Sequence, residues 1–260
     1  MITFVVVIQV VIIGSGNVAY HLHRALLDAK GIALLQLVGR NNRSFTGFDS
    51  GVPTVCSMAE IVDADLYLVA VSDDAIGVVF EQLQDKKGLI AHTSGGVNYT
   101  GKTDTNRFGV FYPLQTFSRT RDINFNSIPI LLEAQQSNDL ELLKTIAIAI
   151  GGIPIPTTSN SRNAIHLAAV FANNFTNHLC YLASEICTEN GVDSNLLLPL
   201  YKETMSKLEV LSPKAAQTGP AKRGDLKTQE IHSQLLGPGL NLDLYKLLSL
   251  SIKKTYEEKL

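Results

Sequence analysis

The sequence predicts an α/β fold, with a doubly wound, mainly parallel sheet followed by an all-α C-terminal domain. Apolar runs of strand length alternate with helical segments up to about residue 156, a pattern typical of parallel strands joined by crossover helices. A glycine-rich turn joins the first apolar run to the first helical segment. Strand signals stop near residue 159, and only helical segments follow. We therefore predict two domains, covering residues 1–156 and 157–260.

Each element is predicted from an apolar run or a helical period that is bounded by turn residues. The predicted strands cover residues 2–13, 34–38, 52–55, 65–71, 89–91, 109–111, 128–132 and 153–155. The predicted helices cover residues 17–30, a segment from about 57, 75–83, 138–150, 162–189, 194–210, 225–236 and 242–258. Asp73 or Asp74 is expected to cap the helix at 75–83, and Asp225 the helix that it begins.

The apolar run at residues 2–13 is predicted to be a long first strand. It is too short to span a bilayer as a helix, it has no positive flank, and no small-residue cleavage site follows it. Its many β-branched residues favour a strand. We therefore expect neither a signal peptide nor association with a membrane.

Net charge and cysteine content indicate which kinds of partner and which cell compartment to expect. The formal net charge is −2 at pH 7, so no basic excess argues for nucleic acid. Cys180 and Cys187 lie roughly 10 Å apart along a predicted helix, which is too far for a disulfide. Three cysteines without a C-x-x-C pair predict a reducing cytoplasm and no metal site.

The turn after the first strand has the pattern G-x-G-x-x-A, from Gly14 to Ala19. The first glycine allows a sharp turn, Gly16 lets a pyrophosphate approach the backbone, and Ala19 lets the helix pack close to the strand. Free N–H groups at the helix start would meet the phosphate charge. The pattern predicts a dinucleotide site of the Rossmann type, although an ordinary glycine-rich turn remains the alternative. The expected cofactor-binding residues of the turn are Gly14, Ser15, Gly16, Asn17 and Val18.

The segment after the second strand indicates which dinucleotide is bound. An NAD site would place Asp or Glu there to hold the ribose 2′-hydroxyl, but this chain has the run 39–44, Gly-Arg-Asn-Asn-Arg-Ser. Arg40 and Arg43 are suited to a 2′-phosphate, so NADP(H) is preferred over NAD(H). The alternative is that both arginines are solvated loop cations. Arg40, Asn41 and Ser44 are the expected cofactor contacts.

Later strand ends supply further candidates, because ligands of open α/β sheets bind beyond the carboxyl ends of the strands. Ser72 and Asp73 are expected beside the ribose and pyrophosphate. His92, Thr93 and Ser94 are expected near the nicotinamide, where the two hydroxyls could bind a carbonyl or an amide. The alternative for His92 is a hydrogen-bonded histidine at a strand end.

Polar residues on the helical segments are candidates for catalysis and for substrate binding. His166, Asn173 and Asn177 fall within about 20° of one face of an ideal α-helix. Their predicted partners are either other protein groups, through hydrogen bonds between helices, or a substrate, with His166 as the acid, the base or an orienting group. Arg223 could bind a substrate carboxylate or lie on the surface, and Gln115 is expected at the substrate.

Several motifs together resemble a known family. The segments are G-S-G-N-V-A at 14–19, H-T-S-G-G at 92–96, Y-P-L-Q-T-F at 112–117, H…N-N at 166–174 and T-G-P-x-x-R-G-D at 218–225. They resemble the ordered motifs of Rossmann-like NADP oxidoreductases that carry a helical C-terminal domain of unknown function and are related to pyrroline-5-carboxylate reductase. The resemblance covers essentially the whole chain. It implies NADP(H), a cofactor cleft between the domains, and a homodimer built through the C-terminal helices.

One departure affects the expected chemistry. The run 168–174 also resembles the catalytic helix of β-hydroxyacid dehydrogenases, which carries a lysine where this chain has Val170. The first hypothesis is therefore an oxidoreductase that transfers hydride between NADP(H) and a small C=O or C=N substrate. In it, His166 is the first choice for proton transfer, His92 the second, and Asn173 assists. The alternatives are a non-catalytic NADP(H)-binding sensor or assembly protein, and a deazaflavin-linked reductase.

Overall fold

A computed structural model describes residues 7–48, 51–98 and 107–257. Its sheet has eight strands in the order β3-β2-β1-β4-β5-β6-β7-β8, and all neighbours are parallel except β6 and β7. The strands are β1 (Ile8–Ile13), β2 (Ile32–Val38), β3 (Thr54–Val55), β4 (Leu66–Val69), β5 (Leu89–His92), β6 (Phe108–Pro113), β7 (Pro129–Ala134) and β8 (Ile153–Pro156). The predicted doubly wound, mainly parallel sheet is confirmed.

The core lies on both faces of this sheet, because parallel strands with helical crossovers are covered on both sides. Val10 and Ile12 of β1 pack on one face, and Val11 and Ile13 pack on the other. The helices of this part are α1 (Asn17–Leu27), α2 (Asp73–Gln82), α3 (Ser137–Ala149) and α4 (Ser159–Ala169). β1 therefore lies in the middle of the core, and the turn at its carboxyl end has a rigid base.

The helical part of the chain begins as predicted but is not continuous. A π-helical segment, Val170–Phe175, follows α4 and leads into α5 (Thr176–Glu189). The remaining helices are α6 (Leu198–Lys207), α7 (Pro213–Ala216), α8 (Pro220–Arg223), α9 (Leu226–Leu236) and α10 (Leu240–Tyr256). The chain separates into two compact units, residues 1–174 and 175–260. The domain boundary at residue 156 stays a prediction.

Three local predictions were wrong. The helix expected from residue 57 is a single 3-10 turn, Met58–Glu60, because the backbone N–H of Val62 bonds to the Gln36 side chain instead of continuing the helix. Asp73 and Asp74 do not cap α2. Ser72 stands at its N-cap, and both aspartates lie in its first turn. The helix expected over 162–189 is divided by the π-helical segment.

Two further predictions concern the start of the first strand and the cap of α9. The first strand begins at Ile8, and the rest of the run predicted from residue 2 lies mostly outside those residues. Asp225 caps α9 as predicted, accepting a hydrogen bond from the backbone N–H of Thr228 at 3.0 Å. Of the helices in the described ranges, none is both long enough and apolar enough to span a membrane.

Candidate functional site

The predicted cofactor residues gather at one edge of the sheet. β2, β1, β4 and β5 are neighbours and run parallel, so their carboxyl ends lie side by side. The glycine turn follows β1, the arginine loop follows β2, Ser72 and Asp73 follow β4, and Thr93 and Ser94 follow β5. The strand order reverses between β2 and β4 on either side of β1, which is where open α/β sheets bind ligands.

The glycine turn has the geometry of a phosphate cradle. Gly14 has a φ of +130°, and a side chain there would collide with the Ala70 carbonyl oxygen, so only glycine fits. A methyl group at Gly16, by contrast, would have no heavy atom within 4 Å. Gly16 is the N-cap of α1, no side chain caps that helix, and its first turn carries no acid. The helix therefore presents free N–H groups and an uncompensated dipole to the space above Gly16.

The loop after β2 is built as a short 3-10 turn, Asn42–Phe45. Asn41 caps it by accepting hydrogen bonds from the backbone N–H and the hydroxyl of Ser44 at 3.1 and 3.2 Å. Arg40 and Arg43 are exposed and form no ion pair within the described ranges. Two guanidinium groups therefore stand free beside the glycine turn.

The turn after β5 is ordered by its own hydrogen bonds. Thr93 is buried, and its N–H donates to the Val69 carbonyl at 3.1 Å. The Ser94 hydroxyl oxygen accepts the N–H groups of Gly96 and Val97, both at 3.2 Å. The Ser94 hydroxyl proton remains available to a ligand, because these two bonds use only its lone pairs.

Burial argues against the predicted role of His92 in proton transfer, and that role stays a prediction. Its side chain is 1% exposed, and burial, helped by the charge of Arg162, lowers its pKa to about 4. Its Nδ1 accepts the Ser94 N–H at 3.2 Å, while its buried Nε2 has no hydrogen-bond partner among the described residues. With this lowered pKa, the His92 imidazole is neutral near pH 7 and is a weak base. His92 instead orders the turn that carries Thr93 and Ser94.

His166 does reach the strand ends, and it meets Tyr112, which belongs to the family motif at 112–117 but was not among the predicted site residues. The Tyr112 hydroxyl at the end of β6 lies 3.1 Å from His166 Nδ1. Burial raises the pKa of Tyr112. A side chain on Gly95 would lie 2.5 Å from His166 Nδ1 and 2.7 Å from Tyr112 Cζ, so the glycine makes room for this pair. A phenol and an imidazole in contact form a chain along which a proton can move.

A buried ion pair fixes the helix that carries His166. Arg162 is fully buried and pairs with Glu133 of β7. Its Nη2 also donates to the Val97 carbonyl at 2.6 Å, which ties α4 to the turn after β5. Glu133 accepts the N–H and the hydroxyl of Ser159 at 3.0 and 2.8 Å. Sequence patterns gave no sign of Arg162, because one arginine near a helix start resembles a surface residue.

The single α-helical face predicted to carry His166, Asn173 and Asn177 is interrupted. A π-helix advances by a smaller angle per residue than an α-helix. The π-helical segment therefore turns Asn173 away from the helix face that carries His166. Asn173 is exposed and lies inside the π-helical segment. Gln115 lies two residues beyond β6, where its Oε1 accepts the Thr116 N–H at 2.8 Å. Asn177 and Arg223 belong to the helical unit, and their contact with substrate stays a prediction.

Two comparisons identify the family. Residues 128–252 match the model of a domain of unknown function, DUF2520. A crystal structure from Bacteroides fragilis, described as a "putative NADP oxidoreductase", is 34% identical, covers 96% of this chain and 99% of its own, and superposes with a TM-score of 0.88. The chain belongs to the same family as this Bacteroides protein. The resemblance predicted from the motifs is thereby confirmed.

Two more distant solved structures share only the fold with this chain. A reductive aminase from Aspergillus terreus, in complex with NADPH and ethyl levulinate, is 16% identical, with 95% of this chain and 94% of its own covered and a TM-score of 0.68. Pyrroline carboxylate reductase from Plasmodium falciparum, with NADP bound, is 15% identical, with 96% and 98% covered and a TM-score of 0.59. Among curated proteins, none matches the chain. The described ranges contain no cluster of His, Cys, Asp or Glu that could hold a metal ion.

Proposed function

We propose that this DUF2520 protein is an NADP(H)-dependent oxidoreductase acting on a small C=O or C=N compound. The observation that carries the proposal is the open space above Gly16, at the uncapped start of α1 and beside the two free arginines of the β2 loop. The backbone N–H groups of residues 16–18 would hold the pyrophosphate. Arg40, Asn41 and Ser44 would hold the 2′-phosphate. The similarity to the Bacteroides relative, described as a "putative NADP oxidoreductase", supports this assignment.

The cofactor preference can be tested at Arg40. In Arg40→Ala the Kd for NADPH, measured by calorimetry, is expected to rise at least about tenfold, while the weaker Kd for NADH changes little. Lys30→Ala is the matched control, since it removes an exposed cation just before the amino end of β2, at the opposite edge of the sheet. Equal losses for NADPH and NADH would rule out 2′-phosphate recognition by Arg40.

For the reaction, we assign proton transfer to Tyr112 and His166. A bound nicotinamide would supply hydride to the carbon of a C=O or C=N bond, and the oxygen or nitrogen of that bond would then need a proton. The Tyr112 phenol, held at the ends of β5 and β6, would give its proton to that oxygen or nitrogen. A protonated His166, whose Nδ1 is in hydrogen-bond contact with the phenol oxygen, would then return a proton to it. Val170 stands where related dehydrogenases carry a lysine, so this pair takes the place of that donor.

Turnover measurements test the pair. We expect Tyr112→Phe and His166→Ala to slow NADPH oxidation, with any carbonyl or imine substrate found by screening, by about a hundredfold or more. NADPH affinity should stay within about threefold of wild type in both variants. Unchanged turnover in both would exclude the proton-transfer role. A wild-type protein that binds NADPH but turns over no compound would favour the non-catalytic sensor. Substrate contacts from Gln115, Asn173, Asn177 and Arg223 remain part of the proposal.

We further propose a homodimer formed through the helical unit. Among its described residues, 175–257, only Ala221 is buried, whereas many large apolar side chains are exposed. Those more than 60% exposed are Leu196, Val210, Leu226, Leu235, Leu240 and Leu247. So many exposed large apolar side chains are typical of a surface that is covered by another protein chain. Light scattering should give twice the chain mass of 28.3 kDa, and a monomer at micromolar concentration would contradict the dimer.

The cytoplasm is the location we propose, and cell fractionation would test it. All three cysteines, at positions 56, 180 and 187, are free thiols, which suits a reducing compartment.

A further inference from the structure

A long connection between two strands passes over α1 and reaches the glycine turn. We call residues 114–123 the strap; they follow β6 in the 15-residue connection to β7, which has neither helix nor strand. Connections of this length without secondary structure are uncommon in compact domains and are often functional. The strap therefore calls for an explanation beyond joining two antiparallel strands.

Three contacts fix the strap along one stripe of α1. The Asn17 side-chain amide donates to the Phe117 carbonyl at 2.9 Å, and His21 Nε2 lies 3.0 Å from the Ser118 carbonyl. One turn further on, Arg24 pairs with Asp122. Positions 17, 21 and 24 share one face of a helix, so the strap follows that face.

Arg119, in the middle of the strap, joins the two halves of the proposed cofactor site. Its Nη2 donates to the carbonyl oxygen of Ser15 in the glycine turn, and its Nη1 donates to the carbonyl of Thr46, in the loop after β2, at 3.1 Å. Its guanidinium lies 5.6 Å from the centre of the Tyr20 ring and 5.4 Å from that of Phe48. Two aromatic rings and two carbonyls thus hold the group in place.

The charge of Arg119 has no counter-ion among the described residues. No carboxylate pairs with it in the described part of the chain, and both of its hydrogen bonds go to neutral carbonyls. A guanidinium has five N–H groups, so three remain free for an acceptor. The uncapped N-terminus of α1 adds positive potential at the same turn. A partly buried cation held without a counter-ion next to such a turn is suited to an anionic ligand group.

We infer that Arg119 is a specificity-determining residue that contacts the 2′-phosphate of NADP(H), reaching it from the strap. This inference rests on the proposed function, because it assigns a residue to the same cofactor site. The loop after β2 lies where the ribose 2′ position is recognised, and Ser15 lies at the turn that holds the pyrophosphate. Arg119 bonds to both segments, so it would stand between these two parts of a bound dinucleotide. Arg40 and Arg43 would reach the same phosphate from the β2 loop.

The test uses two fragments that differ only in the 2′-phosphate. Calorimetry on the full chain would compare 2′,5′-ADP with 5′-ADP for wild type, Arg119→Ala, Arg119→Lys and the control Arg121→Ala. Arg121 is exposed on the same strap, so its loss removes the same charge two residues away. Arg119→Ala should raise the Kd of 2′,5′-ADP at least about tenfold and that of 5′-ADP less than threefold. Arg119→Lys should fall between it and wild type, since lysine keeps the charge but loses the planar fork.

Each outcome decides for or against the role of Arg119. If wild type binds 2′,5′-ADP and Arg119→Ala binds it equally well, Arg119 does not contact the 2′-phosphate. Equal loss of both fragments in Arg119→Ala would make the residue a structural support of the turn, which also overturns the inference. If wild type binds neither fragment, the proposed function itself fails. Should Arg119→Ala not fold, Arg119→Lys alone decides: affinity for 2′,5′-ADP equal to wild type would contradict the inference, and selective loss would support it.

Discussion

At the scale of single residues, two neighbouring glycines differ in what surrounds them. A methyl group at Gly95 would press on His166 and Tyr112, with distances of 2.5 and 2.7 Å, whereas one at Gly96 would lie 3.6 Å from His166 in ordinary contact. Gly95→Ala should therefore cost about 1–3 kcal/mol of unfolding free energy, because it overpacks the site. Gly96→Ala is the matched control and should cost clearly less. Urea unfolding of both variants measures this, and equal costs would contradict the packing at Gly95.

A second prediction at this scale concerns the buried imidazole of His92. Its pKa is about 4 in the folded chain and about 6.5 when unfolded, so the unfolded state binds more protons between these values. Stability should accordingly be full above pH 6.5 and fall by about 3 kcal/mol as the pH decreases toward 4. His92→Asn keeps an acceptor for the Ser94 N–H and cannot titrate, so this part of the acid loss should disappear.

Urea unfolding at several pH values between 4 and 7 checks the role of His92. The control is His178→Gln, which removes an exposed histidine of the helical unit. It should leave the acid profile of wild type unchanged. An unaltered profile in His92→Asn would show that another group causes the acid loss.

Which site residues the sequence could identify depends on the range of their interactions. The glycine turn and the arginine loop are local patterns, in which strand, turn and helix start occur within a few residues, so both were predicted. Tyr112 and His166 are 54 residues apart and meet only because β6 and α4 end at the same edge. The burial of His92 is equally non-local, since it depends on the elements packed around the end of β5. No periodicity reports such contacts.

At the scale of elements, strands were easier to predict than helix details. Buried parallel strands are continuous apolar runs, and each of the eight was located, with ends displaced by a few residues. The 3-10 turn Met58–Glu60 and the π-helical segment Val170–Phe175 were missed. In the first case a side chain, that of Gln36, takes the N–H that a helix would use. Packing against other elements outweighs intrinsic preference in such places.

The ion pair between Arg162 of α4 and Glu133 of β7 gives a prediction at the scale of elements. Glu133→Ala would leave Arg162 buried without its ion-pair partner and deprive Ser159 of an acceptor, and it should cost about 3–5 kcal/mol. Glu141→Ala is the control, because it breaks only the exposed pair with Lys144 and should cost less than about 1 kcal/mol. Thermal and urea unfolding would measure both. Similar small effects would mean that the buried pair does not hold α4 in place.

At the scale of the whole molecule, the architecture could be predicted because several independent sequence patterns indicate the same fold. The strand pattern, the glycine turn and the shift to helices each point to a doubly wound sheet followed by helices, and the observed strand order has this form. The family assignment agrees as well, since the relative from Bacteroides fragilis superposes over 96% of the chain. The fold does not identify the substrate, because proteins that share one fold catalyse many different reactions. It will have to come from the residues around Tyr112 and His166.

The central claim is that the edge of this sheet binds NADP(H), and calorimetric titration of the purified chain with NADPH and NADH tests it most directly. The cradle above Gly16 and the unpaired cations at Arg40, Arg43 and Arg119 predict binding of NADPH at least about tenfold tighter than that of NADH. Tighter binding of NADH would contradict the 2′-phosphate site. Absence of binding by both would mean that the glycine turn serves another ligand or only the fold.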